Sequence, residues 1–298
     1  MERTPFMAIP MNSQCLECNL KRNLKLARTL GNEEQTMEFA KRLMQLYLKA
    51  PKEAPSPYMG PQVADLFHEL YGLSIDRYHQ EKIDSNQFFL DREAQILQKV
   101  ETAPDPLLAG LQFSILGNYL DFSALQGNVS FDTLEDMMEK ALHMDLDLTC
   151  YAQFCSELAS GRKLLYLTDN AGEIGFDKIF AQQIRKKYPH LDIVFCVRGA
   201  ICQNDATRED AKIVGLPFPV IDNGNRVAGT VLTELSQEAR NAIAEADVIL
   251  AKGMANVETM YGCGLNLYYA FLVKCQHFVD IFEKPLFTPM FVKETGKS

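Results

Sequence analysis

The stretch LLYLTDNAGEIGFDK, from Leu164 to Lys178, contains the change of pattern on which the fold prediction depends. An apolar, β-favouring run stops at Asp169 and Asn170, and a small Ala-Gly pair then leads into a segment with helical spacing. This order predicts a buried strand, a polar turn and a helix. The adjacent Asp169 and Asn170 have three interpretations, which are a helix cap, a turn, or ligands of an ion.

The same order of strand and helix recurs through the second half of the chain. Four short β-favouring runs each end in polar residues or glycine, and they read KLLYLTDN, DIVFCVRG, FPVIDNG and DVILAKG. Helical segments separate them, which predicts a parallel sheet with both faces covered. We therefore expect an α/β, Rossmann-like fold with a mainly parallel sheet over residues 161–298.

The first half is predicted to be helical, because apolar residues recur there at three- and four-residue spacing. The segment from Arg77 to Thr102 has the pattern of one long helix, and Ser130–Met144 that of another, opened by capping residues. A helical N-terminal region is thus expected over residues 1–160, followed by a metal-binding α/β region over residues 161–298.

Composition restricts the classes of function. The net charge of −9 argues against a general nucleic-acid partner, because phosphate backbones require a basic face. No apolar run reaches the roughly 20 residues that span a bilayer, so no membrane partner is expected. The opening residues lack the layout of a secretory signal, and the expected location is cytoplasmic. Nothing in the sequence indicates an oligomeric state.

Polar side chains collect where the four predicted strands end, which is the edge of a parallel sheet at which ligands bind. Asp169, Asn170 and Asp205 offer oxygen ligands that suit Mg²⁺ or Mn²⁺. The helix expected near Gly172 would direct backbone N–H groups to an anion there, and Lys252 would contact a phosphoryl oxygen. The other candidates at these strand ends are Arg198, Asn204 and Asn256.

Each of these residues also has an ordinary structural interpretation. Asp169 or Asn170 alone is more often a helix cap, Asp205 lies where a helix begins, and Lys252 could be a solvated strand end. Separate structural roles give no reason for these residues to lie at the same edge of one sheet. Their clustering there therefore favours a shared binding site. Cys15 and Cys18 form a single CxxC pair, for which a structural role and a metal or redox role both stay open.

Several motifs together resemble the damage-control phosphatase family. The motifs are TDNAGE, the RG–ND–T–D pattern of RGAICQNDATRED, AKGMANVET and ILGNYLDF, and the early CxxC resembles the mark of the prokaryotic branch. The likeness runs from about Cys15 to the segment after Glu258. The family comprises metal-dependent phosphatases and is related to a proposed protein carboxyl methyltransferase.

The resemblance implies that Asp169, Asn170 and Asp205 bind a divalent metal. Mn²⁺ is the expected ion, with Mg²⁺, Co²⁺ and Ni²⁺ as alternatives. It further implies a phosphate and substrate pocket lined by four residues, which are Lys252, Glu173, Asn118 and Asp121. One departure is visible: this chain has Asp76-Arg77-Tyr78 where relatives often have Asp-Pro-Tyr, and the change is expected to alter the rim of the pocket.

The predicted function is hydrolysis of small phosphate esters, such as sugar phosphates or damaged phosphometabolites, by a metal-activated water. Asp169, Asp205, Lys252 and Glu173 are the predicted catalytic residues, and Glu173 and Asp121 are the first candidates for the general base. Ala171 stands where phosphatases that form an aspartyl-phosphate have a second aspartate, which favours direct attack by water. Two alternatives remain, an S-adenosylmethionine-dependent carboxyl methyltransferase and a non-catalytic module in which Cys15 and Cys18 hold zinc.

Overall fold

The computed structural model describes residues 8–118 and 141–294, which contain twelve α-helices and six β-strands. The helices before the sheet are α1 (Ser13–Leu30), α2 (Glu33–Lys49), α3 (Gly60–Tyr71), α4 (His79–Leu90), α5 (Glu93–Glu101), α6 (Pro106–Gly117) and α7 (Leu148–Ser160). The strands are β1 (Lys163–Leu167), β2 (Asp192–Val197), β3 (Val220–Asp222), β4 (Val248–Lys252), β5 (Leu267–Leu272) and β6 (Pro289–Lys293). The helices among the strands are α8 (Glu173–Lys187), α9 (Arg208–Ile213), α10 (Gln237–Glu245), α11 (Gly253–Met260) and α12 (Gln276–Phe282).

The six strands form one sheet in the order β3-β2-β1-β4-β5-β6. Neighbouring strands from β3 to β5 are parallel, and only β6 is antiparallel to its neighbour β5. The predicted mainly parallel α/β fold is therefore confirmed. The order of the strands reverses between β1 and β4, and the crevice outside the carboxyl ends of two such strands is where open α/β sheets bind ligands.

Strand β1 shows why its apolar run is nearly continuous. Leu164 and Tyr166 belong to a core with α6, α7 and α8, whereas Leu165 and Leu167 belong to a core with α10, α11 and α12. Successive side chains of a strand point to opposite faces, so covering both faces requires apolar residues at every position.

The predicted helical character of the N-terminal region is also confirmed in the described residues. Helices α1 to α3 share a core around Phe39, Leu43 and Phe67, and α4 to α6 pack against α8. The segment predicted as one helix over Arg77–Thr102 is two helices, α4 and α5, separated at residues 91 and 92. Most of the helix predicted over Ser130–Met144 lies outside the described residues.

Some elements were not predicted, namely α7, β5, β6, α11 and α12. The division of the chain at residue 160 stays a prediction. None of the helices described here is both long and apolar enough to span a bilayer.

Candidate active site

The loops that follow β1 and β2 run side by side at the carboxyl edge of the sheet. Asn170 and Asp205 form an isolated antiparallel bridge, and the N–H of Ala206 donates to the carbonyl of Asp169 at 2.8 Å. The side chains predicted as metal ligands, Asp169, Asn170 and Asp205, are thereby brought to one place. They are 7%, 4% and 4% exposed, respectively, and all three line the same cavity.

This cavity encloses about 310 Å³, a volume suited to a small metabolite. Its walls come from the strand-end loops, from α1, α2 and α3, and from the start of α11. A larger cleft of about 440 Å³ lies at the opposite edge of the sheet, near Lys163 and Asp192 at the amino ends of β1 and β2. We assign the site to the smaller cavity, because it is at the carboxyl edge and the predicted ligands line it.

Two amide groups connect two buried carboxylates. Asp169 Oδ2 accepts hydrogen bonds from Asn118 Nδ2 at 2.9 Å and from Asn170 Nδ2 at 2.8 Å. Glu173 Oε2 accepts from the same two nitrogen atoms, at 2.9 and 3.0 Å. The buried Oδ1 of Asn118 has no hydrogen-bond partner among the described residues. Asn118 and Glu173 therefore orient the side chains of Asp169 and Asn170.

The electrostatics of this cluster favour a cation. Burial, followed by the negative charges of Glu173 and Asp205, raises the pKa of Asp169 well above its usual value, although Lys274 and Arg198 oppose this. Closely spaced hard oxygen atoms that repel one another fit a divalent ion such as Mn²⁺ or Mg²⁺. Within residues 8–118 and 141–294, no three His, Cys, Asp or Glu side chains form a metal-binding group. The predicted set has only two carboxylates and an amide, so its role as ligands stays a prediction.

Arg198 holds Asp205 in place. Its Nε donates to Asp205 Oδ2 at 2.5 Å, and its Nη2 donates to the carbonyl of Thr168 at 3.2 Å. Burial alone would lower the pKa of the Arg198 guanidinium, but Asp205 and Asp169 outweigh burial and raise it. Arg198 is not among the residues that line the cavity, so the structure supports a positioning role. Its predicted contact with substrate stays a prediction.

Lys252 is also turned away from the cavity. Its ammonium donates to the carbonyl of Ser114, to Glu173 Oε1 and to Asp177 Oδ1, each at 2.8 Å. Burial would lower the pKa of Lys252, but Asp177 and Glu173 reverse this and raise it. The three donors of this ammonium are thus engaged within the protein. This arrangement supports a role in positioning Glu173, and a direct phosphate contact by Lys252 stays a prediction.

The remaining predicted residues differ in where they lie. Asn204 lines the cavity. Asn256 is buried, and its Nδ2 donates to the carbonyls of Thr168 and Lys252 at 3.1 and 2.7 Å, which joins the end of β1 to the end of β4. Asp121 lies outside the described residues.

The start of α8 differs from the expectation of several free N–H groups. The N–H of Gly172 donates to Asn86 Oδ1 at 2.8 Å, and the N–H of Ile174 donates to the carbonyl of Asn170 at 3.2 Å. Much of the anion-binding capacity expected of this helix start is therefore used inside the protein.

Two charged side chains that contact the predicted site residues were not predicted. Asp177 lies one turn after Glu173 on α8, and its Oδ1 also accepts from Ser114 Oγ at 2.7 Å and from Tyr166 Oη at 2.8 Å. The spacing of four residues between the two acids is a helical signal that could have revealed it. Lys274 follows β5 and lines the cavity, and its Nζ donates to the carbonyl of Asn118 at 2.7 Å.

A family model matches residues 11–286, which is most of the chain, and its description is "Damage-control phosphatase ARMT1-like domain". The chain belongs to this family.

Individual relatives agree with this assignment. The chain is 30% identical over 273 residues to a damage-control phosphatase of Archaeoglobus fulgidus, covering 88% of this chain and 91% of the relative. It is 31% identical over 253 residues to the damage-control phosphatase PH1575 of Pyrococcus horikoshii, covering 83% and 85%. These names support a phosphatase role for this chain.

A solved structure is similar along the whole chain. The crystal structure of a DUF89 family protein (PH1575) from Pyrococcus horikoshii has a TM-score of 0.80, with 23% sequence identity. The alignment covers 96% of this chain and 100% of that one, which confirms the fold.

The one departure from the family pattern lies at the site. Arg77, where the resemblance leads to the expectation of a proline, lines the same cavity as Gln203. The CxxC pair lies in the first turns of α1, where Cys15 is half-buried and Cys18 is exposed. Both are free thiols, and no third ligand of the His, Cys, Asp or Glu type completes a metal group with them in the part of the chain that is described.

Gly253 provides a test of the proposed ligand geometry in this family member. A Cβ atom at Gly253 would lie 1.9 Å from Asp169 Oδ2, so Gly253→Ala must displace that carboxylate. We expect Gly253→Ala to weaken Mn²⁺ binding about tenfold or more, the usual effect of disturbing the support of a ligand. Mn²⁺-dependent thermal stabilisation measures this.

Gly264→Ala is the matched control for backbone strain. Gly253 has φ +76° and Gly264 has φ +73°, but a Cβ at Gly264 meets nothing within 4 Å. In both variants the left-handed backbone conformation should lower the free energy of unfolding by about 1 kcal/mol. Only Gly253→Ala should also lose affinity for Mn²⁺. Equal Mn²⁺ affinity in the two variants would remove Asp169 from the ligand set.

Proposed function

We propose that this protein is a divalent-metal-dependent phosphatase that hydrolyses small phosphate esters, such as sugar phosphates or damaged phosphometabolites. The observation that carries the proposal is the convergence of Asp169, Asn170 and Asp205 on one cavity at the switch point of the sheet. Membership in a family of damage-control phosphatases supports the reaction type. Mn²⁺ is the ion we expect, and the cytoplasm is the expected location.

Three side chains would hold the ion, namely Asp169, Asn170 and Asp205. A bound divalent cation supplies a Lewis acid that polarises a phosphoryl oxygen. Arg198 restrains Asp205 through its 2.5 Å contact, and Asn118 restrains Asp169. These contacts fix the donor oxygens before any ligand arrives, which lowers the cost of organising the site.

Lys274 is our candidate for contact with the substrate phosphate. It lines the cavity, and its charge lowers the pKa of Asp169, although burial and the neighbouring acids raise that pKa overall. An ammonium beside the carboxylate cluster can bind a phosphoryl oxygen as the charge on the phosphate shifts during reaction. Lys252 would act indirectly. It donates a hydrogen bond to Glu173, and Glu173 accepts one from the side chain of Asn170.

A phosphate-release screen tests this function. The purified protein is incubated with a panel of sugar phosphates and other small phosphate esters, with Mn²⁺, Mg²⁺, Co²⁺ or Ni²⁺ or with EDTA. We expect release from at least one ester with a divalent ion, and none in EDTA. Release that persists unchanged in EDTA would contradict metal dependence, and no release from any ester with any ion would contradict the phosphatase proposal.

Lys274→Met gives a sharper test of the assigned residues. We expect this variant to lower the rate of phosphate release by about 10²-fold, the usual effect of removing one group that stabilises developing charge. Lys284→Met, which changes a lysine on an exposed turn, is the control and should retain full activity. Equal rates in the two variants would show that Lys274 does not contact the reacting phosphate.

A further inference from the structure

The wall of the cavity built by the helical region carries two arginines that share one partner. Arg22 lies on α1, and Arg77 lies just before α4. The Nη2 atoms of Arg22 and Arg77 donate to the same Tyr78 hydroxyl, at 3.4 and 3.2 Å. The two guanidinium groups, called here the arginine pair, are therefore close neighbours, and both line the cavity.

No carboxylate neutralises this pair in the described part of the chain. Some other arginines pair with acids, for example Arg42 with Glu69 at 2.6 Å and Arg226 with Asp65 at 2.5 Å, and others donate to backbone carbonyls, as Arg185 does to Pro217. Neither Arg22 nor Arg77 has such an ion pair among residues 8–118 and 141–294. Two adjacent positive charges repel each other, so this arrangement suits a site that an anion completes.

The position of Arg77 is fixed by aromatic rings. Its guanidinium lies over the ring of Phe67 at 5.6 Å and over the ring of Tyr78 at 4.9 Å. Cation–π contacts of this kind hold the side chain while its N–H groups stay able to donate. Arg77 is thus positioned in advance of binding, which reduces the entropy lost when a ligand is bound.

A second observation also indicates a ligand at this wall. Tyr47 lines the same cavity, is 9% exposed, and has a hydroxyl without a hydrogen-bond partner among the described residues. Buried hydroxyls normally have a partner. Asn19 and Asn23 lie on the face of α1 that also carries Arg22, and both line the cavity.

We propose that the arginine pair is an anion subsite, and that the preferred substrates carry a second anionic group besides the phosphate ester that is hydrolysed. This inference rests on the proposed function, since it places the reacting phosphate at the strand-end carboxylates. The arginine pair and the strand-end carboxylates line the same cavity, whose volume of about 310 Å³ suits one small metabolite. A carboxylate and a second phosphate have the same chemistry for a pair of guanidinium groups.

Calorimetry with matched ligand pairs tests the subsite without turnover. Binding is measured in EDTA for 6-phosphogluconate against glucose 6-phosphate, and for fructose 1,6-bisphosphate against fructose 6-phosphate. We expect the doubly anionic member of at least one pair to bind about tenfold more tightly, the effect of one charge-assisted hydrogen bond. The first pair reports on a carboxylate, and the second pair on a second phosphate.

Arg22→Met and Arg77→Met should each remove the preference, whereas Arg28→Met, which changes an exposed arginine further along α1, should keep it. Thermal unfolding checks that each variant is folded. Because the two arginines lie in different segments, one variant still tests the subsite if the other fails to fold. Equal affinities within both pairs, no binding of any ligand, or a preference that survives in both variants would overturn the subsite. A preference in binding, combined with no phosphate release from any ester of the panel with any of the four ions, would contradict the proposed function instead.

Discussion

Asp169→Asn is expected to reduce metal-dependent phosphate release by at least about 10²–10³-fold, the size of effect found when a main electrostatic contact of a reacting site is removed. An amide has the shape of the carboxylate but lacks its charge. The same variant should lose Mn²⁺-dependent thermal stabilisation, which for the wild type amounts to about 2.7 kcal/mol at an ion concentration of about 100 Kd.

The metal-free stability of Asp169→Asn separates loss of a ligand from loss of the fold. Burial, followed by the negative charges of Glu173 and Asp205, raises the pKa of Asp169. Removing its charge relieves this repulsion, so in EDTA at pH 7.5 the variant should unfold at the wild-type temperature or above it. Full activity in Asp169→Asn would remove this residue from the metal site.

Asp192→Asn is the matched control for the choice of cavity. Asp192 is exposed and lines the cleft at the amino ends of the strands. If the carboxyl edge carries the chemistry, Asp192→Asn should keep both its activity and its Mn²⁺ response. The opposite result, with activity lost in Asp192→Asn and kept in Asp169→Asn, would move the site to the other edge of the sheet.

The parallel core of the fold was predictable because burial on both faces leaves a direct mark on the sequence. Strands β1, β2 and β4 each have a nearly unbroken apolar run that ends in polar residues, and all three were predicted. The break between α4 and α5 was not predictable in the same way, because the apolar spacing continues through Asp91 and Arg92. Asp91 keeps helical backbone angles, and the backbone departs from them at Arg92, with φ −120° and ψ 0°, which the spacing of apolar residues does not report.

The position of the site was predicted, but the direction of its side chains was not. The carboxyl edge of the sheet fixes where Asp169, Asn170 and Asp205 lie, so their convergence follows from topology. Lys252 also lies at that edge, yet its ammonium points to Glu173 and Asp177 instead of the cavity. Which way a long side chain turns depends on partners from other elements, such as Ser114 on α6, and no local pattern contains that information.

Lys274 was missed for a related reason. It follows β5, whose apolar run from Leu267 to Val273 lies between Asn266 and Lys274 and was not assigned to a strand. Without that strand, the lysine has no assigned place at the edge of the sheet. When a strand is missed in the prediction, the candidate site residue that follows it is missed as well.

Lys252→Met is expected to lower the free energy of unfolding by about 3–5 kcal/mol, because it leaves two buried carboxylates without their cation. Lys252, Glu173 and Asp177 are all fully buried, and Asp177 Oδ2 already has no hydrogen-bond partner among the described residues. Urea unfolding followed by far-UV circular dichroism measures the change, since the chain has no tryptophan.

Two further variants decide whether the buried charge is the cause of that loss. Lys163→Met breaks an exposed pair with Glu245 at 2.6 Å, and solvent screening should make its effect much smaller. Adding Glu173→Gln and Asp177→Asn to Lys252→Met removes the unpaired charges and should restore part of the stability, because neutral groups are cheaper to bury. Two results would contradict a role for the charge: equal urea midpoints for Lys252→Met and Lys163→Met, or a triple variant that is less stable than Lys252→Met alone. Either result would show that Lys252 stabilises the protein through the packing of its side chain and not through its charge.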